Sequence, residues 1–414
     1  MEYRTLIEPD RIHGSLYTNA EVFSHELARI WYREWVFVAH ESELPESGDY
    51  VTRNVGRQPV VITRGEEGVI RVLLNRCSHR ANLLCQDEKG SSHSFRCPYH
   101  GWTFTNSGEL VGVPFRNGYG KTPIREKLAL SRAPRVGSYK GFIFASLSPS
   151  GPALMEHLGN AAEAIDRLVD LSPDGEVELT AGWLKHKVSA NWKMAVENQV
   201  DGYHPRFVHD SLFSAAKYQV RELCTDSSSA LVRDHGNGHT ELDFRPEYRK
   251  EGTSFIWFGR ASEAKFPEYV ERMVRRYGAE RSRQLLMDGP PHVMIFPNLF
   301  LAEMNLLVIE PIGPSLTVQR QTSVLLKGAP EINRRAMRQT EGAMGPGGLL
   351  IPDDCEMMER NQVGLTAMSP EWLTLSRGMH REYSDEDGSL ASNVTDETAQ
   401  RGIWKKYLET MTEE

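Results

Sequence analysis

Two short pairs, Cys77-x-His79 and Cys97-x-x-His100, stand in the stretch 77–102, CSHRANLLCQDEKGSSHSFRCPYHGW, with seventeen residues between them. Each pair offers one thiolate and one imidazole. Two sulfurs and two nitrogens divided in this way suit a 2Fe–2S cluster in which two cysteines hold one iron and two histidines the other. Neutral imidazoles in place of two thiolates leave such a cluster less negative and raise its reduction potential. Tetrahedral zinc also takes two Cys and two His, but its pairs usually keep cysteines in one half and histidines in the other. Here each half is mixed, which favours the cluster.

A second set of candidate ligands runs through Glu197-Asn-Gln-Val-Asp201-Gly-Tyr-His204-Pro-Arg-Phe-Val-His209. Glu197 and Asp201 are four apart, Asp201 and His204 three apart, so each pair can share a helical face. His204 and His209 are five apart, which rotates them off a common face of a regular helix. They converge only if the backbone departs from that geometry, and Pro205 restricts how. The competing account is a helix end whose histidines cap carbonyls or pack in the core. Farther on, Asp353-Asp354-Cys-Glu356-Met-Met-Glu359 follows a Gly-Pro-Gly-Gly turn. By pattern alone Asp353 is an N-cap with Glu356 as its capping-box partner.

These residues need a scaffold. Residues 19–37 put Val22, Phe23, Leu27, Ile30, Trp31 and Trp35 on one helical stripe, capped by Asn19. Short β-branched runs follow at 50–55, 59–64 and 69–75, with 94–96 and 102–105 continuing the series, so both metal pairs fall on loops at strand ends. Residues 136–147 read as a closing strand pair, and Ser148–Pro152 (SPSGP) marks a boundary. Beyond it, helices at 153–170, 262–287, 331–344, 349–361 and 399–411 alternate with strands at 176–190, 292–300, 304–311 and 316–326. Residues 220–260 mix strand runs with polar turns, and the acidic stretch 384–398 reads as a solvated loop. His235 and His239 fall in a Gly/Asn surface loop, and His292 faces either a cavity or the core. The class is α+β. The domains are an N-terminal helical segment (1–37) packing on the catalytic domain, an all-β cluster domain (38–150) and a catalytic domain (151–414).

Composition excludes several function classes. The 414 residues are 40% hydrophobic and 25% charged, ordinary for a globular chain. A net charge of −8 without a basic run gives no nucleic-acid surface. No apolar run reaches membrane-spanning length, and no secretory leader opens the sequence. Five cysteines, an odd number, argue against a disulfide framework and for a reducing, cytoplasmic setting.

The stretch 77–102, with its trailing Gly101-Trp102, resembles the Rieske motif. Asn198, Asp201, Tyr203, His204 and His209 resemble the mononuclear iron motif of Rieske non-haem iron oxygenases, and the two occur in the family's order. The resemblance implies a large (α) subunit of an aromatic ring-hydroxylating dioxygenase. Its catalytic domain would be an antiparallel sheet surrounded by helices (helix-grip or START-like). It implies Cys77, His79, Cys97 and His100 as cluster ligands, and His204, His209 and Asp354 as ligands of Fe(II). Asp201 is then a catalytic bridge between cluster histidine His100 and iron ligand His204 of neighbouring subunits. Expected partners are O2, an aromatic substrate with aromatic acids among the candidates, a ferredoxin and/or flavin reductase drawing on NAD(P)H, a small β subunit and a trimeric core. The expected product is a cis-dihydrodiol; a Rieske monooxygenase (hydroxylase or demethylase) shares every ligand, and an electron-transfer Rieske protein is the rival of another class. By position beside the ligands, Gln199, Phe207 and Leu350 are the expected pocket residues.

Overall fold

A computed structural model of the chain describes residues 2–120, 127–215 and 223–413. Residues 220–222 of the mixed region lie outside the described residues. The chain divides into two compact units, Trp31–Leu154, and Met1–Ile30 with Met155–Glu414.

The Trp31–Leu154 unit is built of antiparallel strands. Ile70–Leu74, Gln58–Arg64, Asp49–Val55 and Lys89–Ser91 form one sheet in that order. Leu110–Gly112, Thr103–Thr105 and Ser94–Arg96 form a second, and Arg135–Tyr139, Phe142–Ser146 and Val36–His40 a third. Period-two burial is plain in Asp49–Val55, where Val51, Arg53 and Val55 point inward. Cys77 and Cys97 share one buried cluster with Leu73, Phe95, Trp102 and Phe104.

The helix expected over 19–37 is shorter. Asn19 caps it as read, accepting from the amides of Glu21 and Val22. The helix covers Ala20–Glu26, closes with a π-helical turn over Leu27–Trp31, and gives way to a wholly buried strand at Val36. The β-branched Val36-Phe-Val38 run outweighs the 3.6 periodicity. Trp35 leaves the helical stripe; its indole donates to the Pro152 carbonyl at 2.9 Å.

The other unit centres on a nine-stranded sheet: Leu184–Val188, Leu316–Ser323, Asn305–Gly313, Leu299–Ala302, His292–Ile295, Thr240–Asp243, Leu231–Asp234, Leu390–Asn393 and Tyr383–Ser384. Every neighbouring pair is antiparallel. His292 pairs with Ala302 and Met294 with Phe300, so His292, Phe300 and Ala302 share one face.

Three expectations are corrected here. The helix read over 262–287 is two, Pro267–Tyr277 and Ala279–Asp288, broken at Gly278 with φ +79°. The acidic stretch 384–398 is not a solvated loop. It holds the Leu390–Asn393 strand, and two of its acids are paired, Asp396 with Arg381 and Asp385 with Arg233, while Glu386 and Asp387 stay exposed. Residues 235–239 do form a loop, with Gly236 and Asn237 exposed, but its histidines turn inward. His239 is buried between the His157 carbonyl (2.7 Å) and the Phe296 amide (3.0 Å), and His235 pairs with Glu241 at 2.9 Å.

The helix that leads to the second ligand set, Trp192–Asn198, is anchored by two buried carboxylates. Glu26 accepts from Trp192 Nε1 (2.8 Å), Lys193 Nζ (2.5 Å) and the Tyr407 hydroxyl (2.8 Å). Glu197 accepts from the Tyr17 hydroxyl at 2.8 Å and from the Trp404 indole. Burial pushes the Glu197 carboxyl up to about 7. Glu26→Ala is therefore expected to destabilise the protein by about 3–5 kcal/mol, because it strands the Lys193 ammonium without a counter-charge. Glu26→Gln, which keeps an acceptor, should cost less. Denaturant unfolding measures both, and a loss below about 1 kcal/mol in the alanine variant would refute the role.

Candidate metal centres and cavity

The two cysteine loops are built alike. The Cys77 amide donates to the Asn82 carbonyl (2.8 Å) while the Ala81 amide donates back to Cys77 (2.9 Å). Cys97 repeats the pattern with the Trp102 carbonyl (2.7 Å) and the Gly101 amide (3.0 Å). Each turn closes through a left-handed residue, Ala81 at φ 59° and Gly101 at φ 72°. At Gly101 a Cβ would meet Pro114 at 3.1 Å, so glycine fits both the dihedral and the space.

These turns bring thiol to thiol and ring to ring. Both cysteines are buried, and burial pushes the Cys77 thiol up, with Cys97 beside it adding to the effect. The His79 and His100 rings are 4.6 Å apart, and Trp102 stacks on His79 at 4.8 Å with only 7° between the planes. Burial, then the neighbouring His100, holds His79 below its usual range, in the neutral form that ligates metals. Its Nδ1 is buried without a hydrogen-bond partner. Such a donor set, two thiols beside two imidazoles with an orphaned ring nitrogen, fits a mixed-ligand cluster.

The second centre depends on a break in helix geometry. Asn191 caps the Trp192–Asn198 helix through the Lys193 amide (3.1 Å). The chain then unwinds through Asp201 and Gly202 before one short turn, Pro205–Val208. His204 precedes that turn and His209 follows it, which is how residues five apart come to face each other. Gly202 permits the passage, since a Cβ there would lie 2.2 Å from the Val394 carbonyl oxygen.

Asp354 Oδ1 lies 3.2 Å from Nε2 of both His204 and His209. One donor atom from each of the three residues lies within 4.8 Å of the others. Asn198 Nδ2 approaches Asp354 Oδ1 at 3.4 Å. Behind the imidazoles stand two more carboxylates, Asp201 Oδ2 at 3.6 Å from His204 Nδ1 and Asp353 Oδ2 at 3.8 Å from His209 Nδ1. Burial opposes charge on His204, yet Asp201 and Asp354 outweigh it and hold that imidazole up at about 10. Burial likewise opposes the Asp354 carboxylate, and the two imidazoles hold it below its usual range. Two imidazoles and a carboxylate brought together, with His209 and Asp354 buried and both Nδ1 atoms orphaned, fit a divalent cation.

Asp353 is not the helix cap. The helix runs Ile351–Gly364, no side chain caps it from Leu350, and both aspartates lie in its first turn. Pro352 is pre-organised for that turn and starts the helix early, and negative charge is favoured there. Glu356 pairs instead with Arg360 at 2.8 Å.

A cavity of about 450 Å³ opens over this centre. Leu242, Phe244, Ile256, Trp257, Phe258 and Phe300 make its apolar wall. Gln199 and Leu350 line it as expected. Phe207 does not; it is 66% exposed, because the turn that points His204 and His209 inward turns Phe207 outward. Arg206 is exposed as well. His292 lines the cavity, with Nε2 donating to the Gln199 carbonyl at 2.9 Å, and burial pushes it down to about 4. It is therefore neutral with Nδ1 as acceptor. Sequence reasoning missed Glu303. It occupies the two-residue turn between Leu299–Ala302 and Asn305–Gly313, a position that ordinarily faces solvent.

Residues 34–126 match the family described as Rieske [2Fe-2S] domain, and residues 173–413 the family described as Ring hydroxylating alpha subunit (catalytic domain). The chain is 29% identical to the 2-halobenzoate 1,2-dioxygenase large subunit of Burkholderia cepacia, over 91% of this chain and 82% of that one. It is 31% identical to the N,N-dimethyl phenylurea N-demethylase subunit alpha of a Sphingobium species, over 96% and 90%. The solved structure of a naphthalene 1,2-dioxygenase with indole bound in the active site superposes with a TM-score of 0.86 at 26% identity, covering 100% of this chain and 95% of that one.

Proposed function

Because the chain belongs to the ring-hydroxylating oxygenase alpha-subunit family, with a Rieske [2Fe-2S] domain ahead of the catalytic domain, we propose that it is a terminal oxygenase that cis-dihydroxylates an aromatic ring in the cavity beside His204, His209 and Asp354. The observation that carries this reading is the convergence of those three ligands on an apolar cavity of about 450 Å³. The enzyme is an oxidoreductase whose cofactors are a Rieske cluster and mononuclear iron. In our assignment Cys77 and Cys97 hold one cluster iron, His79 and His100 the other, and His204, His209 and Asp354 the mononuclear Fe(II). When bound, Fe(II) held by two imidazoles and a carboxylate would have room for dioxygen, and the cluster would supply an electron.

The chain's own residues do the positioning. Asp201 and Asp353 stand behind the imidazoles, 3.6 Å and 3.8 Å from their Nδ1 atoms, and Nε2 of each ring is turned toward Asp354, where it would meet the metal. Asn198 steadies Asp354. The aromatic wall keeps water from the reacting ring, and neutral His292 presents an acceptor rather than a charge.

We assign residues 38–150 to the cluster domain and 151–414 to catalysis, with the 1–37 segment belonging to the latter as far as Ile30. The enzyme is one component of a multi-subunit system; a ferredoxin and/or flavin reductase, a β subunit and a trimeric core are our proposal for the rest. Among the described residues no helix is long and apolar enough to cross a membrane. Five free cysteines suit the cytoplasm as its setting.

The likeness to an N-demethylase alpha subunit favours one further reading, insertion of a single oxygen. A single turnover of the reduced holoenzyme under labelled dioxygen decides between them. Two labelled oxygens in a dihydrodiol are expected, and one labelled oxygen would overturn dihydroxylation in favour of monooxygenation.

A further inference from the structure

Taking the oxygenase reading of this cavity as given, we propose that Glu303 anchors the substrate, and that the site takes an aromatic ring bearing an N–H or O–H donor in preference to a bare hydrocarbon or an aromatic carboxylate. Four observations carry this. Glu303 and Met304 turn the chain between adjacent strands with φ of 50° and 68°, a left-handed backbone that residues with side chains rarely adopt. A turn of this kind ordinarily takes Asn-Gly and faces solvent. Here Met304 is fully buried and Glu303 lines the cavity.

Among the described residues the carboxylate is held on one side only: Gln339 Nε2 donates to Oε2 at 3.0 Å, and no partner engages Oε1. No arginine or lysine of the described residues pairs with Glu303. Arg335 lines the same cavity, but its guanidinium donates to the Phe258 carbonyl at 2.9 Å and stacks on the Phe258 ring at 4.8 Å. Arg338 is exposed. Burial pushes the Glu303 carboxyl up to about 7, outweighing the Gln339 hydrogen bond and the nearby His209, which both pull it down.

The chemistry of preference follows. A hydrocarbon that fills the cavity strips water from Oε1 and gives nothing back, leaving a buried acceptor unsatisfied. A ring carboxylate brings like charge into the same low-dielectric space. An N–H or O–H on the ring replaces the lost water with a hydrogen bond to a charged acceptor. Sites built to hydrogen-bond a substrate group reject analogues that lack it more strongly than apolar pockets reject an added methylene.

Three ligands of one outline test this: 2-naphthol, 2-methylnaphthalene and 2-naphthoate, titrated calorimetrically into the anaerobic holoenzyme. Wild type should bind the naphthol at least roughly tenfold tighter than the methyl compound, the effect of one charge-assisted hydrogen bond. E303A should erase that difference while methylnaphthalene binding holds or tightens. E303Q keeps the shape of the side chain and removes its charge. It should narrow the preference and tighten naphthoate binding about tenfold or more. Equal binding of the two neutral ligands by wild type, a preference unchanged in both variants, or naphthoate as the tightest wild-type ligand would each overturn the assignment. Labelled-dioxygen turnover of the same ligands separates the two readings. Labelled product without a Glu303-dependent preference sinks the anchor and leaves the oxygenase. A Glu303-dependent preference without labelled product from any ring supports the anchor and sinks the oxygenase.

Discussion

Asp354→Ala is expected to yield a folded protein with an intact cluster that has lost its mononuclear iron and its oxygenase activity. Asp354 Oδ1 is the point on which both Nε2 atoms converge, at 3.2 Å each. Without it two neutral imidazoles remain, too few donors to hold Fe(II) against water. Activity should fall by more than the roughly 10–100-fold that loss of a residue orienting a ligand produces. Folding should survive, since Asp354 occupies the first turn of a helix and its removal eliminates a buried charge. Metal analysis should find one iron fewer per chain, with the cluster's visible absorption unchanged. The neighbour supplies the contrast. Asp353 is 40% exposed at its side chain and stands 3.8 Å from His209, so Asp353→Ala should keep its iron. Retention of mononuclear iron in Asp354→Ala, or its loss only in Asp353→Ala, would reverse the assignment.

The parts of these centres legible in sequence are those whose chemistry demands particular residue types close together. Cys77, His79, Cys97 and His100 could be read because mixed pairs have few other uses. His204 and His209 could be read only with the family's pattern, because their convergence depends on an unwound segment that periodicity does not encode. Gly202 is the local cause, and its need is set by the carbonyl of Val394, nearly two hundred residues away in sequence. Phe207 was placed by adjacency alone, and adjacency fails where one helical turn divides inward from outward. Capping logic failed at Asp353 for a similar reason: Pro352 moved the start of the helix ahead of it, to Ile351. The acidic stretch 384–398 looked solvated because its counter-charges, Arg233 and Arg381, cannot be assigned before the sheet is known. Glu26 and Lys193 illustrate the same limit. Their pairing at 2.5 Å spans most of the first two hundred residues, and a buried ion pair leaves no mark on either local pattern. What the strands did disclose, through β-branched runs and turn residues, was the all-β unit and the antiparallel sheet. Long-range polar pairing was the part that required the fold.

The same dependence on the fold gives Asp201 its expected role. Asp201 Oδ1 accepts from the Tyr203 amide at 2.7 Å, which fixes the carboxylate, and Oδ2 stands 3.6 Å from His204 Nδ1. Its side chain is 35% exposed, and His100 of the cluster is exposed too. A carboxylate fixed against one imidazole while open on its outer side is suited to reach a cluster histidine on a second copy of the chain. Asparagine tests this at nearly constant shape. In Asp201→Asn the side-chain oxygen can still accept from Tyr203, but an amide donor now confronts His204 Nδ1–H and the charge is gone. Both metals should remain bound, because Asp201 is not among the three converging ligands. What should fall is the rate at which a reduced cluster is oxidised when substrate and dioxygen are added, by roughly 100-fold or more, at the upper end of the effect of losing a residue that orients a metal-bound histidine. Stopped-flow absorption of the cluster measures that rate directly, and metal analysis of the same sample guards against simple loss of iron. Reoxidation at the wild-type rate with full metal content would mean that electrons take another route and that Asp201 only holds the turn at Gly202.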